Sequence, residues 1–305
     1  NNVSDYGDVS LIFAYFVLFN VLLTYGMETA FFRFINIVEN KVKVIGTSAI
    51  SLVISSSAVL VFGCFFKNNF SSIIHIDPEH IVLVLFILFF DTLVIIPFAY
   101  LRALGKPIKY TFVKITNVLI NFGLNILFLI YLKGLAQGSS FWNNFYVSNF
   151  EIHYIFIANL IASIATLILL SSFYFKLKYN FDWLLWKKML RYALPVLVAG
   201  IAFSINESFD RILLERLLPQ DLSKAAIGTY SACYKLALFM TLFSTAYRLG
   251  IEPFFFSNFD KSHAKKSYAS ILEVFVILGS LILLLVVVFI DFLKLILIPN
   301  EAYWE

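Results

Sequence analysis

Charge is what this 305-residue chain has least of: Asp, Glu, Lys and Arg make up 14% of it, against about a quarter in an average soluble domain. So few charges cannot coat a water-exposed shell, which argues against a soluble enzyme or a nucleic-acid-binding domain. Cysteine is nearly absent. Cys64 and Cys233 both sit in apolar runs, so a disulfide between them is not expected and both read as buried small hydrophobes. There is no glycine-rich phosphate loop and no room for a soluble nucleotide-binding domain. His75-Ile-Asp77-Pro-Glu79-His80 resembles a metal cluster only superficially: it reads as a solvated loop in which Pro78 breaks any helical face. His153 and His263 read as isolated near span ends. We therefore expect no catalytic residues, no metal and no cofactor. Residue 1 is an Asn in the polar segment Asn1–Asp8, with neither an initiator Met nor a charged-then-apolar leader, so the chain reads as trimmed.

What is abundant is apolar surface: 61% of residues are hydrophobic and 18% aromatic, and the mean hydropathy is +0.87. Eight runs approach or exceed the roughly 20 residues that cross a bilayer: 9–33, 44–66, 80–101, 110–132, 152–175, 190–216, 226–256 and 268–298. They are too long for strands and lack barrel alternation. In lipid only intra-segment hydrogen bonds satisfy such a backbone, so the fold class is an all-α polytopic helical bundle.

The connections set the orientation. Arg33, Lys41, Lys43, Arg102, Lys106, Lys109, Lys176, Lys178, Lys187, Lys188, Arg191, Lys261, Lys265 and Lys266 fall on one side, against Lys67, Lys133, Arg216 and Lys224 on the other. Basic loops stay in the cytoplasm, which puts the first set inside and both ends of the chain outside. Trp142 and Trp304 then lie in outer segments and Trp183 and Trp186 in an inner one, as interfacial belts. The inner segment 176–191 mixes Trp and Lys and suits a short interfacial helix. It divides the chain into residues 1–176, a linker over 177–189, and residues 190–305.

Gly26-Met-Glu28-Thr-Ala-Phe31-Phe32 aligns with Gly250-Ile-Glu252-Pro-Phe-Phe255-Phe256 at an offset of 224, and Gly7-Asp-Val-Ser10 with Gly228-Thr-Tyr-Ser231 at an offset of 221. Both matched helices run inward, which makes the repeat parallel, about an axis along the membrane normal. By this repeat one helix is missing before residue 1 and at least three after Glu305, leaving helices 2–9 of a two-lobed bundle of twelve or more. Residues 22–34, Leu-Leu-Thr-Tyr-Gly-Met-Glu-Thr-Ala-Phe-Phe-Arg-Phe, together with Leu190-Arg-Tyr-Ala-Leu-Pro-Val-Leu and Ile227-Gly-Thr-Tyr-Ser231, resemble bacterial polysaccharide-biosynthesis flippases. These are the Wzx-like, O-antigen-type members of the MATE-like multidrug/oligosaccharidyl-lipid/polysaccharide (MOP) exporter superfamily. The similarity runs over nearly the whole chain, and its motifs define a family rather than a substrate. It implies a lobe of six helices on each side of a central cavity, and movement of an undecaprenyl-pyrophosphate-linked glycan across the inner membrane.

Polar groups inside spans are the candidate site, because a mid-membrane charge costs about 2.5–3.5 kcal/mol on insertion scales. Lys114, Asn117, Asn121 and Asn125 share one helix face, as either a hydrated cavity wall or interhelical glue. Asn206, Glu207, Asp210, Arg211, Glu215 and Arg216 crowd one helix end, where Glu207–Arg211 and Arg211–Glu215 form i,i+4 pairs. Lys235 and Asp91 lack an opposite charge within a turn. Glu28 and Arg33, five residues apart, point away from each other. Pro97, Pro195 and Pro253 with Gly26, Gly200 and Gly250 mark possible kinks. The expected function is a lipid-linked oligosaccharide flippase. Lys114, Asn117, Asn121, Asn125, Arg211, Lys235 and Arg248 would line a substrate cavity. Glu28, Arg33, Asp91, Glu207, Asp210 and Glu252 would serve coupling to H+ or Na+ and gating, with Glu28 and Glu252 a symmetric pair near the inner gate. The expected partners are the lipid-linked oligosaccharide, the bilayer, and glycan polymerase or export proteins. The alternatives are a cation-coupled multidrug exporter of the same architecture and, further off, a membrane-embedded glycan polymerase. The polymerase would need a catalytic outer loop, which Lys133–Glu151 does not resemble.

Overall fold

The structure, a computed structural model, describes residues 3–132, 134, 147, 150–258, 264–298 and 300–303; the side chains of 220–221, 248–258, 264–267 and 301 are outside that description. It is about 90% helical, with no strand among the described residues. Among the described residues eight helical segments are long and apolar enough to span a membrane, at the places the apolar runs predicted. Trp142, Trp304, His263, Lys261, most of 133–149 and the side chains of Arg248, Glu252, Pro253, Lys265 and Lys266 lie outside the described residues.

The first span is two helices, α1 (Val3–Thr24) and α2 (Met27–Ile37). Tyr25 and Gly26 between them take positive φ values of 34° and 71°, a conformation glycine adopts without penalty. A Cβ on Gly26 would also lie 2.6 Å from the Ala193 carbonyl oxygen, so the break is where another helix comes closest. Asn40 caps α3 (Lys41–Phe65) by accepting from the Lys43 N–H at 3.3 Å. A short α4 (Lys67–Ile74) follows. Asp77 caps α5 (Pro78–Ala103) by accepting from the Glu79 N–H at 2.8 Å, with Pro78 at the first helical position and Pro97 inside. Next come α6 (Pro107–Ile126), which continues as a π turn over Leu127–Tyr131, and α7 (Glu151–Lys176). Three long helices complete the chain: α8 (Trp183–Leu217), α9 (Gln220–Asn258) and α10 (Ala264–Val288), followed by α11 (Ile290–Leu297).

Two expectations need correction. No separate interfacial helix forms at 181–190. Instead the Trp-rich stretch is the start of α8, whose 35 residues reach about 52 Å at 1.5 Å per residue, beyond the roughly 30 Å hydrocarbon core. Asp182 fixes the start of this helix, since its carboxylate accepts from the Leu185 N–H at 3.0 Å, and the good helix formers Leu184, Leu185, Lys187, Lys188, Met189 and Leu190 carry it on without a break. The cysteines are free, but neither is buried: Cys64 is half-buried and Cys233 exposed, as an apolar side chain can be on a surface that faces lipid.

The chain forms two compact units, residues 12–212 and residues 1–11 with 213–305. In the first, α2, α3, α5 and α8 share a core that includes Met27, Phe31, Val44, Leu52, Ile96 and Met189. Small residues on α3 (Gly46, Ser48, Ala49, Ser51) are buried, which lets backbones approach. The connection 177–182 lies within this unit. Lys43 Nζ reaches the Asp182 carboxylate at 3.2 Å, the Asp182 N–H donates to Thr47 Oγ1 at 3.0 Å, and Trp186 Nε1 donates to Ser51 Oγ at 2.7 Å. In the second unit the start of α1 packs on α9 through the two glycines that the 221-residue offset aligned. A Cβ on Gly7 would clash with the Lys224 carbonyl and sit 3.2 Å from the Gly228 nitrogen, and one on Gly228 would clash with the Val3 carbonyl. Beside them Lys224 Nζ pairs with Asp8 at 2.9 Å, and Lys235 Nζ lies 4.9 Å from the Tyr6 ring centroid.

Candidate functional site: a polar pocket among α5, α6 and α7

Three helices of the first unit bring polar side chains to one place midway through their spans. α5 supplies Asp91. α6 supplies the predicted stripe, while its other face, with Ile108, Phe112, Ile115, Val118, Leu119 and Phe122, is exposed as lipid contact requires. α7 supplies Asn159, Ser163 and Thr166, spaced i, i+4, i+7 and so on one face. Together Asp91, Lys114, Asn117, Asn159, Ser163 and Thr166, with Val94 and Phe98, line a pocket of about 120 Å³. One water needs only about 10–15 Å³ of such space, so the pocket has room for several waters.

The bonding inside it is partial. The Ser163 hydroxyl donates to Asp91 Oδ1 at 2.7 Å. Asn117 Nδ2 donates to Thr166 Oγ1 at 2.9 Å, and the Thr166 hydroxyl donates to the Ala162 carbonyl at 2.8 Å. Lys114 Nζ stands 4.5 Å from the Phe98 ring centroid, and its charge acts on Asp91. A carboxylate with one protein donor and a cation nearby can accept a proton or help hold a cation. The amides and hydroxyls around it offer the donor–acceptor mixture that water or a sugar hydroxyl needs.

The structure therefore joins Asp91, Lys114 and Asn117. Asn121 and Asn125 bond to each other further along α6, Asn125 Nδ2 donating to the Asn121 side-chain oxygen at 2.6 Å and its carbonyl at 2.8 Å. Glu28 is in the first turn of α2 and forms an ion pair with Arg102, both side chains 41% exposed; Arg102 also lies over Phe32, at 4.8 Å, and Arg33 over Tyr192, at 4.4 Å. On α8, Arg211 Nη1 donates to the Glu207 carbonyl at 3.1 Å and approaches Asp210 Oδ1 at 3.4 Å, while Arg216 pairs with Glu215 at 3.2 Å. Lys235 lies over Tyr6 in the other unit. The side chains of Arg248 and Glu252 are outside the described residues.

Sequence reasoning missed three things. The α7 stripe was readable from its spacing. Arg102 as the partner of Glu28 was hidden among loop charges. The third is a correction: Glu79 and His80 are not in a loop, because Pro78 starts α5 rather than breaking it. His80 is buried, and His153 is not isolated. Their ring nitrogens are 3.2 Å apart, Phe150 stacks on His153 at 3.9 Å, and Glu79 lies 3.3 Å from its other nitrogen. Among the described residues no group of three or more His, Cys, Asp or Glu could hold a metal ion.

A family model described as polysaccharide biosynthesis protein matches residues 2–248. No curated protein and no solved structure matches the chain.

Proposed function

We propose that this chain, which belongs to the polysaccharide biosynthesis protein family of Wzx-like O-antigen flippases, moves an undecaprenyl-pyrophosphate-linked oligosaccharide across the bacterial cytoplasmic membrane by alternating access. The observation that carries the reading is the mid-span pocket of Asp91, Lys114, Asn117, Asn159, Ser163 and Thr166. A hydrated, mixed-charge pocket inside a helical bundle marks a substrate or ion path more often than a packing feature. In this reading Asp91 takes up and releases a proton or cation, and Lys114 supplies the opposing charge. Lys235, Arg211 and Arg248 attract the pyrophosphate, while Glu207, Asp210, Glu28 and Glu252 hold those cations or shape the gates. The basic ends of the helices face the cytoplasm, and residue 1 and Glu305 lie on the outer side. Gly7 meeting the α9 backbone beside Gly228 supports the parallel repeat, because helices related by a twofold meet at equivalent positions. Glycan polymerase or export proteins would act on the delivered product.

The test is reconstitution of the protein into vesicles with labelled undecaprenyl-pyrophosphate oligosaccharide inside and an imposed proton or sodium gradient. Wild type should move the lipid-linked sugar. Asp91→Asn should lose gradient dependence, and Lys235→Ala should lose transport by tenfold or more at unchanged protein abundance. Efflux of a cationic drug without sugar movement would establish the multidrug exporter instead, and normal transport by Lys235→Ala would remove that residue from the mechanism.

A further inference from the structure

At the basic end of the first unit, away from the polar pocket, α3, α5, α7 and the start of α6 enclose a second pocket of about 370 Å³. That volume falls within the range of roughly 300–1,000 Å³ typical of small-molecule sites. Lys106, Lys109, Lys176 and Lys178 line it, from two segments some 70 residues apart, and among the described residues no carboxylate does. Its floor is apolar, with Leu101 and Phe173 among the lining residues. Among the described residues none of the four lysines is in an ion pair. Lys106 also occupies the N-cap position of α6, where an acceptor side chain is the rule, and no side chain caps that helix. The positive end of α6 thus lies at a pocket lined by four lysines and, among the described residues, by no carboxylate.

Membrane orientation alone does not explain this. The basic bias calls for lysines in these connections, but it is met by lysines pointing anywhere into water. It does not gather two connections around one apolar-floored cavity at the ends of the spanning helices. We propose that this pocket binds the phosphate headgroup of an anionic membrane lipid, the four ammonium groups holding the phosphate and the apolar floor receiving the glycerol and the first acyl carbons. Basic pockets between spanning helices on the cytoplasmic side are the kind of site that takes such headgroups. The inference does not depend on what the protein transports.

The test is native mass spectrometry of the whole chain released from detergent micelles and titrated with phosphatidylglycerol, phosphatidylcholine or inorganic phosphate. Wild type should retain phosphatidylglycerol in preference to phosphatidylcholine. A lysine near an anionic surface contributes about fivefold in affinity, so Lys106→Gln with Lys109→Gln, and separately Lys176→Gln with Lys178→Gln, should each weaken retention about 30-fold. Lys187→Gln with Lys188→Gln, the same two-charge change at exposed positions on α8, should leave it unchanged. Two pairs on separate segments keep the test decisive if one of them fails to fold. Full retention of phosphatidylglycerol by a folded pair variant would overturn the proposal. So would equal weakening by Lys187→Gln with Lys188→Gln, or displacement of the lipid by an equal concentration of inorganic phosphate.

Discussion

Replacing Gly228 by Ala adds one methyl group where the chain has no space for it. Its Cβ would fall within 3.0 Å of the Val3 carbonyl oxygen and lie 3.1 Å from Val3 Cγ1. The carbonyl is backbone held in a helix, so it cannot rotate aside as a side-chain tip would, and α1 must move away from α9 by a substantial fraction of an ångström. Forcing extra carbon into a well-packed contact costs about 1–3 kcal/mol. At about 2–4 °C per kcal/mol for a protein of this size class, the melting temperature should fall by roughly 2–12 °C. Differential scanning fluorimetry in detergent reads this directly. Gly123→Ala is the control, since a Cβ there meets nothing within 4 Å. Lower backbone entropy in the unfolded chain should make that variant neutral or stabilised by up to about 1 kcal/mol. Gly7→Ala should behave like Gly228→Ala, and the double variant should cost less than the sum, because one displacement of α1 relieves both clashes. If Gly228→Ala melts with wild type, or the two glycine effects add fully, the α1–α9 contact is not as described.

Asp182 makes the connection before α8 sensitive to acid. The Leu185 N–H, and then Lys43, hold its carboxyl below the ordinary range, so the folded protein keeps this charge to a lower pH than the unfolded chain does. The stabilisation is present above the ordinary carboxylate value of about 3.9 and is lost as pH falls below it, through the depressed folded value. Asn caps as well as Asp, so Asp182→Asn should keep the helix start but flatten the change in Trp183 and Trp186 fluorescence below about pH 4; an unchanged acid profile would refute the assignment. Glu28→Gln removes an exposed ion pair and should lower stability by only about 0–1 kcal/mol. A loss of transport at near-normal melting temperature would then put Glu28 in the mechanism, and a loss of folding would contradict the exposure of its pair with Arg102.

The spans were legible because lipid leaves the backbone one option, and about 20 apolar residues in a row announce it. The break in the first span was half legible: Gly26 was visible, but Tyr25 joining it at positive φ was not, since nothing in a tyrosine's local sequence asks for that conformation. Partners across helices were not legible. Glu28 and Arg102 are 74 positions apart and Asp91 and Ser163 are 72, and only the relative rotation of packed helices decides such meetings. The α7 stripe was a different kind of miss. Asn159, Ser163 and Thr166 carry the same periodicity that identified the α6 stripe, but uncharged residues in an apolar run attract less notice than a lysine. His80 was lost by treating Pro78 as a breaker, although proline at the first helical position starts a helix.

The polar groups of the spans then sort by what the fold alone accounts for. Glu28 with Arg102, Asp8 with Lys224 and Lys43 with Asp182 are paired close to helix ends, where water and headgroups reach them and a charge costs little. Asp91 is different. It stands midway along the 26-residue α5, with one hydrogen bond from Ser163 and Lys114 nearby but not in contact. For packing alone an Asn would accept the same hydrogen bond without the cost of a charge in the bilayer. A carboxylate does one thing that Asn cannot, which is to exist in a charged and a neutral form and exchange between them as a proton or cation arrives. In the proposed transport cycle, an anion drawn to Lys114 would change the charge that Asp91 faces. Substrate and coupling ion would then act on one another through a single pair of side chains, within one compact unit of the protein.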